Sequence, residues 1–174
     1  RKSLFEKAGI DAPPATWAEF LTDVGKLQDA GVTPLAIGGK DKWPGMFWWA
    51  NLSLRIAGMD AMQQAGEDGS FDSEGFVKAG EELQRLIEME PFQEGFLAAP
   101  WDGSGGEAAT MGNGRAAMDL MGQWAPGAFR THGGVETVQD LPWEMGWFPF
   151  PAVDGGAGAP TEVIGGGDGF AVGK

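Results

Sequence analysis

The N-terminal part of the chain combines a helical pattern with a strand pattern. Apolar residues recur at helical spacing after Thr16, which predicts a helix that ends at Gly31. Glu19 stands three residues after Thr16, which is the spacing of a capping box. A short apolar run over 32–37 predicts a strand, and a polar loop follows over 38–44. This order of helix, tight turn, strand and loop is typical of an α/β unit.

The rest of the chain predicts more elements of both kinds. The apolar spacing predicts further helices over 4–8, 44–59, 74–90, 106–111 and 125–132, with a polar turn region over 60–70. It predicts further strands over 116–121, 143–150, 161–164 and 170–172. We therefore expect an α/β domain with a central mixed sheet flanked by helices.

Two of the predicted helices contribute clearly to a core. The helix over 44–59 is apolar on nearly all sides, so it is expected to be buried, with Trp48 and Trp49 mostly in the core. The amphipathic helix over 74–90 is expected to turn three residues inward, namely Phe76, Leu83 and Ile87.

The composition indicates a globular domain that binds neither nucleic acid nor an anionic membrane. The 174 residues are 43% hydrophobic and 21% charged, an ordinary balance for a folded domain. The net charge of −13 argues against both kinds of partner, because each requires clustered lysine and arginine. No apolar run is long enough for a transmembrane helix, and no targeting segment is recognised.

The lack of cysteine and the single histidine exclude several kinds of site. Without cysteine the chain has no disulfide, thiol nucleophile or thiolate metal site. His132 is the only histidine, and we expect it at the surface near a helix end. The glycine run over 165–169 lacks the lysine and the following helix of a phosphate-binding loop. We therefore expect no metal, no cofactor and no catalytic residue.

Three loops that follow predicted strands combine polar and aromatic residues. Loops of this kind gather at one edge of a sheet flanked by helices, where α/β folds bind ligands. Seven of their residues are candidate ligand-binding residues: Lys40, Asp41, Trp43, Gln123, Trp124, Gly167 and Asp168.

These residue types match the chemistry of a sugar, which has flat C–H faces and polar edges. Trp43 and Trp124 supply rigid apolar ring faces, and the lysine and glutamine donate hydrogen bonds. Asp41 and Asp168 accept hydrogen bonds from hydroxyl groups. Each residue also has a simpler interpretation, because Trp124 could fill the core and both aspartates could be turn residues.

An ordered series of motifs resembles one protein family. The chain opens with Arg-Lys-Ser-Leu-Phe-Glu-Lys-Ala-Gly-Ile and continues with Pro-Pro-Ala-Thr-Trp-Ala-Glu-Phe. Later motifs are Asn-Gly-Arg-Ala-Ala-Met-Asp-Leu-Met-Gly-Gln-Trp and Gly-Gly-Asp-Gly-Phe-Ala-Val. The series spans the chain and resembles family 1 extracellular solute-binding proteins. These are the carbohydrate-binding receptors of ATP-binding-cassette (ABC) importers and are related to maltodextrin-binding protein.

The resemblance implies a fold, partners and a location. The family fold has two α/β lobes joined by a hinge, and residues 1–174 resemble the C-terminal lobe without its N-terminal partner. In the family, the positions that match Lys40–Trp43, Trp124 and Asp168 commonly line the sugar cleft. The implied partners are a mono- or oligosaccharide and the membrane permease of the importer. The implied location is extracytoplasmic, either in the periplasm or on a cell-surface lipoprotein.

Two other functions stay open on the sequence. A glycoside hydrolase needs two carboxylates across the scissile bond, and Asp41 and Asp168 are the candidate pair. A protein-interaction module would instead bind another protein through exposed tryptophans. Changes in tryptophan fluorescence on adding sugars, compared with those on adding proteins, would separate this function from a sugar receptor.

Overall fold

The computed structural model describes residues 1–166 and Ala171, in which short strands are embedded among helices. In chain order the elements are α1 (Lys2–Lys7), α2 (Trp17–Asp29), β1 (Thr33–Ala36), α3 (Trp43–Ile56), α4 (Gly58–Asp68), α5 (Glu74–Glu88), α6 (Glu107–Gly112), β2 (Ala116–Asp119) and α7 (Ala125–His132). Short 3₁₀ turns lie at Gly39–Asp41, Phe96–Ala98 and Val138–Asp140. The predicted α/β class is confirmed.

The two strands form a parallel sheet that sets the position of the loops behind them. Thr33 pairs with Ala116, Leu35 with Met118 and Ala36 with Asp119. Because the strands are parallel, their carboxyl ends lie at the same edge of the sheet. The loops after β1 and β2 therefore leave the sheet side by side.

The start and end of α2 follow the predicted capping chemistry. The Glu19 N–H donates to Thr16 Oγ1 at 3.2 Å, and the Thr16 N–H donates to Glu19 Oε2 at 3.1 Å. These two bonds form a capping box. The N–H groups of Ala15 and Thr16, which both donate to Glu19 Oε2, lower the pKa of the Glu19 carboxyl. Gly31 follows the helix with φ of +66°, a left-handed conformation that glycine adopts without strain.

Aromatic side chains form much of the main core. The rings of Trp17 and Phe20 stack with centroids 5.0 Å apart, and Phe20 contacts Trp48 of α3 at 5.8 Å. Trp48 is buried, as predicted, whereas Trp49 is partly exposed and packs on Phe76 of α5. These contacts join α2, α3 and α5 around one face of the sheet.

A buried arginine fastens the last described segment to this core. The Arg55 guanidinium donates to the carbonyl oxygens of Glu162 at 2.8 Å, Phe150 at 3.1 Å and Pro160 at 3.2 Å. The Arg55 guanidinium also lies over the Phe150 ring, 5.9 Å from its centroid. Together with backbone bonds such as that from the Gly158 N–H to the Arg55 carbonyl at 3.0 Å, this side chain on α3 holds the path of residues 150–162.

The prediction of a polar turn region over 60–70 is wrong, because α4 runs through most of these residues. The helix ends only at Gly69, whose φ of +74° is left-handed. Its side chains are mostly polar because the helix lies on the surface and buries little more than Ala65. Polar composition in this case marks an exposed helix and not a loop.

The inward face of α5 differs from the prediction by one position. Phe76 is buried and Leu83 is partly buried, as predicted. The prediction that Ile87 points inward is wrong, since Ile87 is 47% exposed. Its neighbour Leu86 points into the core instead. The helix is rotated so that the line of buried residues passes through Ala79 and Leu86.

Two predicted strands are not formed. Residues 143–150 and 161–164 have no strand pairing, so the sheet in the described chain is parallel and smaller than the mixed sheet expected. Pro149 and Pro151 lack N–H donors, which weakens any ladder along the first of these segments. Of the strand predicted over 170–172, only residue 171 lies within the described residues.

The end of α7 contains the single histidine. His132 closes the helix as predicted, and its partly covered imidazole contacts Asp102, with Nε2 and Oδ1 2.5 Å apart. This contact and the Gly103 N–H lower the pKa of the Asp102 carboxyl. Within residues 1–166 and at 171, none of the helices has the length and apolarity needed to cross a bilayer.

Candidate functional site

The loop after β1 presents Lys40, Asp41 and Trp43 at the sheet edge. Gly39–Asp41 form a 3₁₀ turn, and Lys42 takes a positive φ of +66° before α3 begins. Pro44 lies in the first turn of α3, where its missing N–H costs no helical hydrogen bond. Lys40 and Asp41 are exposed, and Trp43 is half-buried at the start of the helix.

Asp41 connects this loop to the crossover between α5 and α6. The Trp101 N–H donates to Asp41 Oδ2 at 2.6 Å, and the Lys40 N–H donates to the Ala99 carbonyl at 3.0 Å. The Trp43 and Trp101 rings consequently contact each other, with centroids 5.6 Å apart and planes at 60°. Asp41 therefore has a structural role, because its carboxylate holds the loop after β1 against the crossover.

Four aromatic rings form a continuous line along this edge, which we call the aromatic row: Trp101, Trp43, Phe47 and Trp124. Trp43 contacts Phe47, one helical turn further on, with centroids 5.6 Å apart. Phe47 contacts Trp124, from the loop after β2, at 6.4 Å. The row thus joins the loops after both strands and the crossover between α5 and α6.

Trp124 is a surface residue and does not fill the core. Its side chain is 48% exposed, and it immediately precedes α7, which has Pro126 in its first turn. The indole folds back over Gly122, so that a Cβ at position 122 would overlap its ring carbons. Only a glycine leaves room for this ring orientation.

The remaining candidate residues do not all share this surface. Gln123 lies next to Trp124 but lines a cavity of about 820 Å³ between β2 and residues 145–151. That cavity is lined mainly by apolar side chains such as Phe5, Met118 and Phe148, and its lining includes neither Trp43 nor Trp124. The last two candidates, Gly167 and Asp168, lie outside the described residues.

A buried pair of carboxyl groups lies beneath the row. Glu107, the first residue of α6, is 1% exposed, and its Oε2 accepts the backbone N–H of Gly38. Burial, and then the neighbouring carboxyl of Asp119 at the end of β2, raise the pKa of Glu107. Burial raises the pKa of Asp119 as well. The pair therefore retains at least one proton at neutral pH.

The rings of the aromatic row can pack against an apolar face of a ligand. Covering one indole face, on the order of 100 Å², contributes roughly 2–3 kcal/mol of transfer free energy. Among the residues that the structure describes, no group of three or more histidine, aspartate or glutamate side chains could hold a metal ion. Hydrogen bonds to Lys40 or Gln123 would add orientation more than affinity.

Comparison with known proteins identifies the family. The model of the bacterial extracellular solute-binding protein family matches residues 1–174. The chain belongs to this family. An uncharacterized ABC transporter extracellular-binding protein of Pyrococcus horikoshii is 31% identical over 154 residues, which cover 87% of this chain and 32% of that protein. The xylose/arabinose-binding protein XacG of Haloferax volcanii is 29% identical over 159 residues, 88% of this chain and 32% of XacG.

A solved structure supports the same assignment. A protein from work on xylan utilization by the thermophilic bacterium Caldanaerobius polysaccharolyticus has 30% sequence identity to this solute-binding protein and a TM-score of 0.77. The match covers 92% of this chain and 39% of that protein. The chain thus spans about a third of the length of the curated relatives it matches.

Three residues of this solute-binding protein that the sequence did not single out lie at the candidate site. The sequence predicts Phe47 only as part of a buried helix, although its position four residues after Trp43 indicates a shared face. Trp101 lies in a loop rich in proline and glycine, and no local pattern connects it with Trp43. Glu107 is the lone charge in the short apolar helix α6, which was the available signal of a buried role.

Proposed function

We propose that residues 1–174 form one α/β lobe, the C-terminal lobe, of a sugar-binding receptor for an ABC importer. The lobe binds a mono- or oligosaccharide through the aromatic row, in a cleft that a second lobe closes. The observation that carries this proposal is the row itself: four rings from three separate segments meet at the carboxyl edge of two parallel strands.

The geometry of the row suits a sugar ring. Trp124 is half exposed and held by Gly122, so its indole is a rigid platform whose ordering costs little on binding. Trp43 and Trp101 meet at 60°, which gives the row an angled surface instead of a flat one. Sugar C–H groups contact such faces while their hydroxyl groups stay directed to the rim.

Polar residues at the rim supply the hydrogen bonds of the proposed site. Lys40 is exposed beside the row and donates to hydroxyl or ring oxygens. Gln123, the exposed neighbour of Trp124, both donates and accepts from the side of the adjoining cavity. One carboxylate oxygen of Asp41 is already bonded to the Trp101 N–H, which leaves Oδ1 for a hydroxyl group. Asp168, included through the family resemblance, and Gly167, from the same predicted loop, complete the proposed set.

The relatives support a sugar as the ligand. XacG is named for xylose and arabinose, and the structural neighbour comes from work on xylan utilization. A row of several rings offers more surface than one sugar unit covers, so a short oligosaccharide also fits. Xylose, arabinose and xylo-oligosaccharides are therefore the first ligands to examine.

The proposed protein is a carrier and not an enzyme. Hydrolysis of a glycoside needs two carboxyl groups on either side of the bond. Of the candidate pair, Asp41 keeps one carboxylate oxygen bonded to the Trp101 N–H, and Asp168 lies outside the described residues. Glu107 is buried, which keeps it from a glycosidic oxygen. The partner of the loaded receptor is the membrane permease, and the location is extracytoplasmic, in the periplasm or on a lipoprotein.

Closure of two lobes determines the affinity in this proposal. Ligand contacts in the intact receptor favour the closed state, and the closed surface is what the permease recognises. A single lobe offers only part of those contacts, so we expect millimolar or weaker binding by this chain. Submicromolar binding of glucose or maltose in calorimetry would contradict that expectation.

Titration of the chain with sugars, followed by tryptophan fluorescence and NMR of the indole N–H groups, tests the proposal. We expect a saturable shift with at least one pentose, hexose or oligosaccharide, which Trp124→Ala abolishes. Trp147→Ala is the matched control, because Trp147 is 87% exposed and outside the row. Equal shifts in both variants, or no shift with any sugar even at concentrations well above the millimolar range, would contradict the proposal. Turnover of a chromogenic glycoside would favour the hydrolase instead.

A further inference from the structure

Glu107 connects three segments of the chain. Its side chain accepts the N–H of Gly38, the residue that leads out of β1 into the loop with Trp43. Its own N–H donates to the Pro100 carbonyl at 2.9 Å, and the Ala108 N–H donates to the Trp101 carbonyl at 3.0 Å. The start of α6 is thereby tied both to the crossover that carries Trp101 and to the loop that carries Trp43.

The backbone segments that meet at Glu107, which we call the junction, are closely packed. A Cβ at Gly38 would approach the Trp101 backbone nitrogen to 2.7 Å, and one at Gly106 would approach the Pro100 carbonyl oxygen to 2.7 Å. Neither backbone segment can move closer, so the position of Gly38 relative to Trp101 depends on what holds them together. Gln93 of the crossover bonds to both the N–H and the carbonyl of Ile37, at 3.0 and 2.8 Å, in a partly buried position. The Gly38–Glu107 bond, which is fully buried, adds the tie between the next residue and the start of α6.

The second carboxyl of the junction comes from β2. Glu107 Oε1 and both carboxylate oxygens of Asp119 are inaccessible to solvent and receive no hydrogen bond of normal geometry from the described residues. A proton on Glu107 allows it to donate to Asp119 while it still accepts from Gly38. In that state the carboxyl pair bridges the ends of both strands, from which the two halves of the row extend.

Other charged groups around the junction do not neutralise the pair. Asp41, on the loop after β1, adds negative charge and so also favours the protonated acid. On α7, which packs against α6, Arg130 donates to the Glu136 carbonyl and His132 pairs with Asp102. Arg1, beside β2, donates to the carbonyl oxygens of Gly114 and Ala117. β1 carries no titratable side chain.

We propose that Glu107 is a positioning residue for the sugar site, acting as a neutral acid that accepts from Gly38 and donates to Asp119, so that Trp43 and Trp101 stay in contact. This role rests on the proposed function only for its consequence in binding. The contact between Trp43 and Trp101 exists without ligand. Loss of the proton at alkaline pH places two buried negative charges side by side and separates the segments that they join.

The near-ultraviolet circular dichroism of the tryptophans, recorded against pH without ligand, tests this inference. The chain contains no tyrosine, so no phenol ionises in the alkaline range and obscures the signal. We expect the wild-type tryptophan band to be lost as pH rises while the far-ultraviolet helix signal persists. Glu107→Gln, whose amide both accepts and donates in the same places, should keep the band at every pH. Glu107→Leu should lose it at every pH.

Controls separate positioning from general stability and from the proposed function. Glu74→Gln alters the first residue of another helix, α5, at an exposed position, and should follow the wild-type profile. An unchanged alkaline loss in Glu107→Gln would overturn the inference, and this comparison decides even if Glu107→Leu does not fold. If the profiles are as expected and no sugar binds any variant, the proposed function fails and the positioning role stands. If sugars bind, Glu107→Gln at alkaline pH should have the sugar affinity that the wild type has at neutral pH.

Discussion

The indole of Trp124 lies directly over the backbone of Gly122, two residues before it. A Cβ at position 122 would overlap ring carbons of the indole, including Cζ3 and Cη2. The missing side chain of Gly122 therefore determines which way Trp124 faces. The same fold-back brings the ring to the end of the aromatic row, 6.4 Å from the Phe47 centroid.

Gly122→Ala should displace the Trp124 ring and weaken any sugar response. The added methyl group occupies the place of the indole, so the ring must rotate away from Phe47. We expect a shift of tryptophan emission without ligand and loss of the sugar-induced change. Gly127→Ala in α7 is the matched control, because a Cβ there meets open space. If the two variants behave alike, the ring is not held by Gly122.

Asp41→Ala should loosen the contact between Trp43 and Trp101. It removes the acceptor of the Trp101 N–H, a contribution of about 1 kcal/mol at an exposed position. The expected result is a weaker tryptophan exciton band and a small drop in thermal stability. Asp41→Asn keeps an oxygen acceptor and should restore most of the band. An unchanged band in Asp41→Ala would contradict the structural task assigned to this residue.

The stability of the chain should decline as pH rises because of Glu107. Its folded-state pKa is raised, so the folded protein holds a proton that the unfolded chain releases above its ordinary pKa. This contribution is fully present in acid, at and below the unfolded pKa, and is lost as pH climbs towards the folded pKa. Urea unfolding of Glu107→Gln should lack this decline, while Glu74→Gln should retain it. An identical slope in Glu107→Gln would contradict the assignment.

Arg55→Met should destabilise the chain strongly. It leaves the carbonyl oxygens of Glu162, Phe150 and Pro160 without their charged donor, which costs about 3 kcal/mol or more. Denaturant unfolding measures the loss. Arg85→Met is the control, because Arg85 is exposed and its 3.8 Å ion pair with Glu82 contributes about 0–1 kcal/mol. Similar losses in both variants would mean that the three carbonyl bonds contribute little.

Local patterns in the sequence predicted the elements where the local signal and the tertiary contacts agree. The capping box at Thr16, the strand around Leu35 and the apolar run that forms β2 are of this kind. The turn region over 60–70 failed because a surface helix such as α4 carries few apolar residues to reveal it. The strand over 143–150 failed because a strand exists only when another strand pairs with it.

The sequence by itself determined the α/β class, the family resemblance and the residue types of the proposed sugar site. These depend on spacing within short segments and on motifs that follow one another along the chain. Only the tertiary structure decided that Trp101 belongs to the row, since its N–H reaches a carboxylate 60 positions away. It also decided that Trp124 faces outward and that Glu107 is buried against Asp119. Contacts between distant segments depend on how the elements pack, and no local periodicity encodes that arrangement.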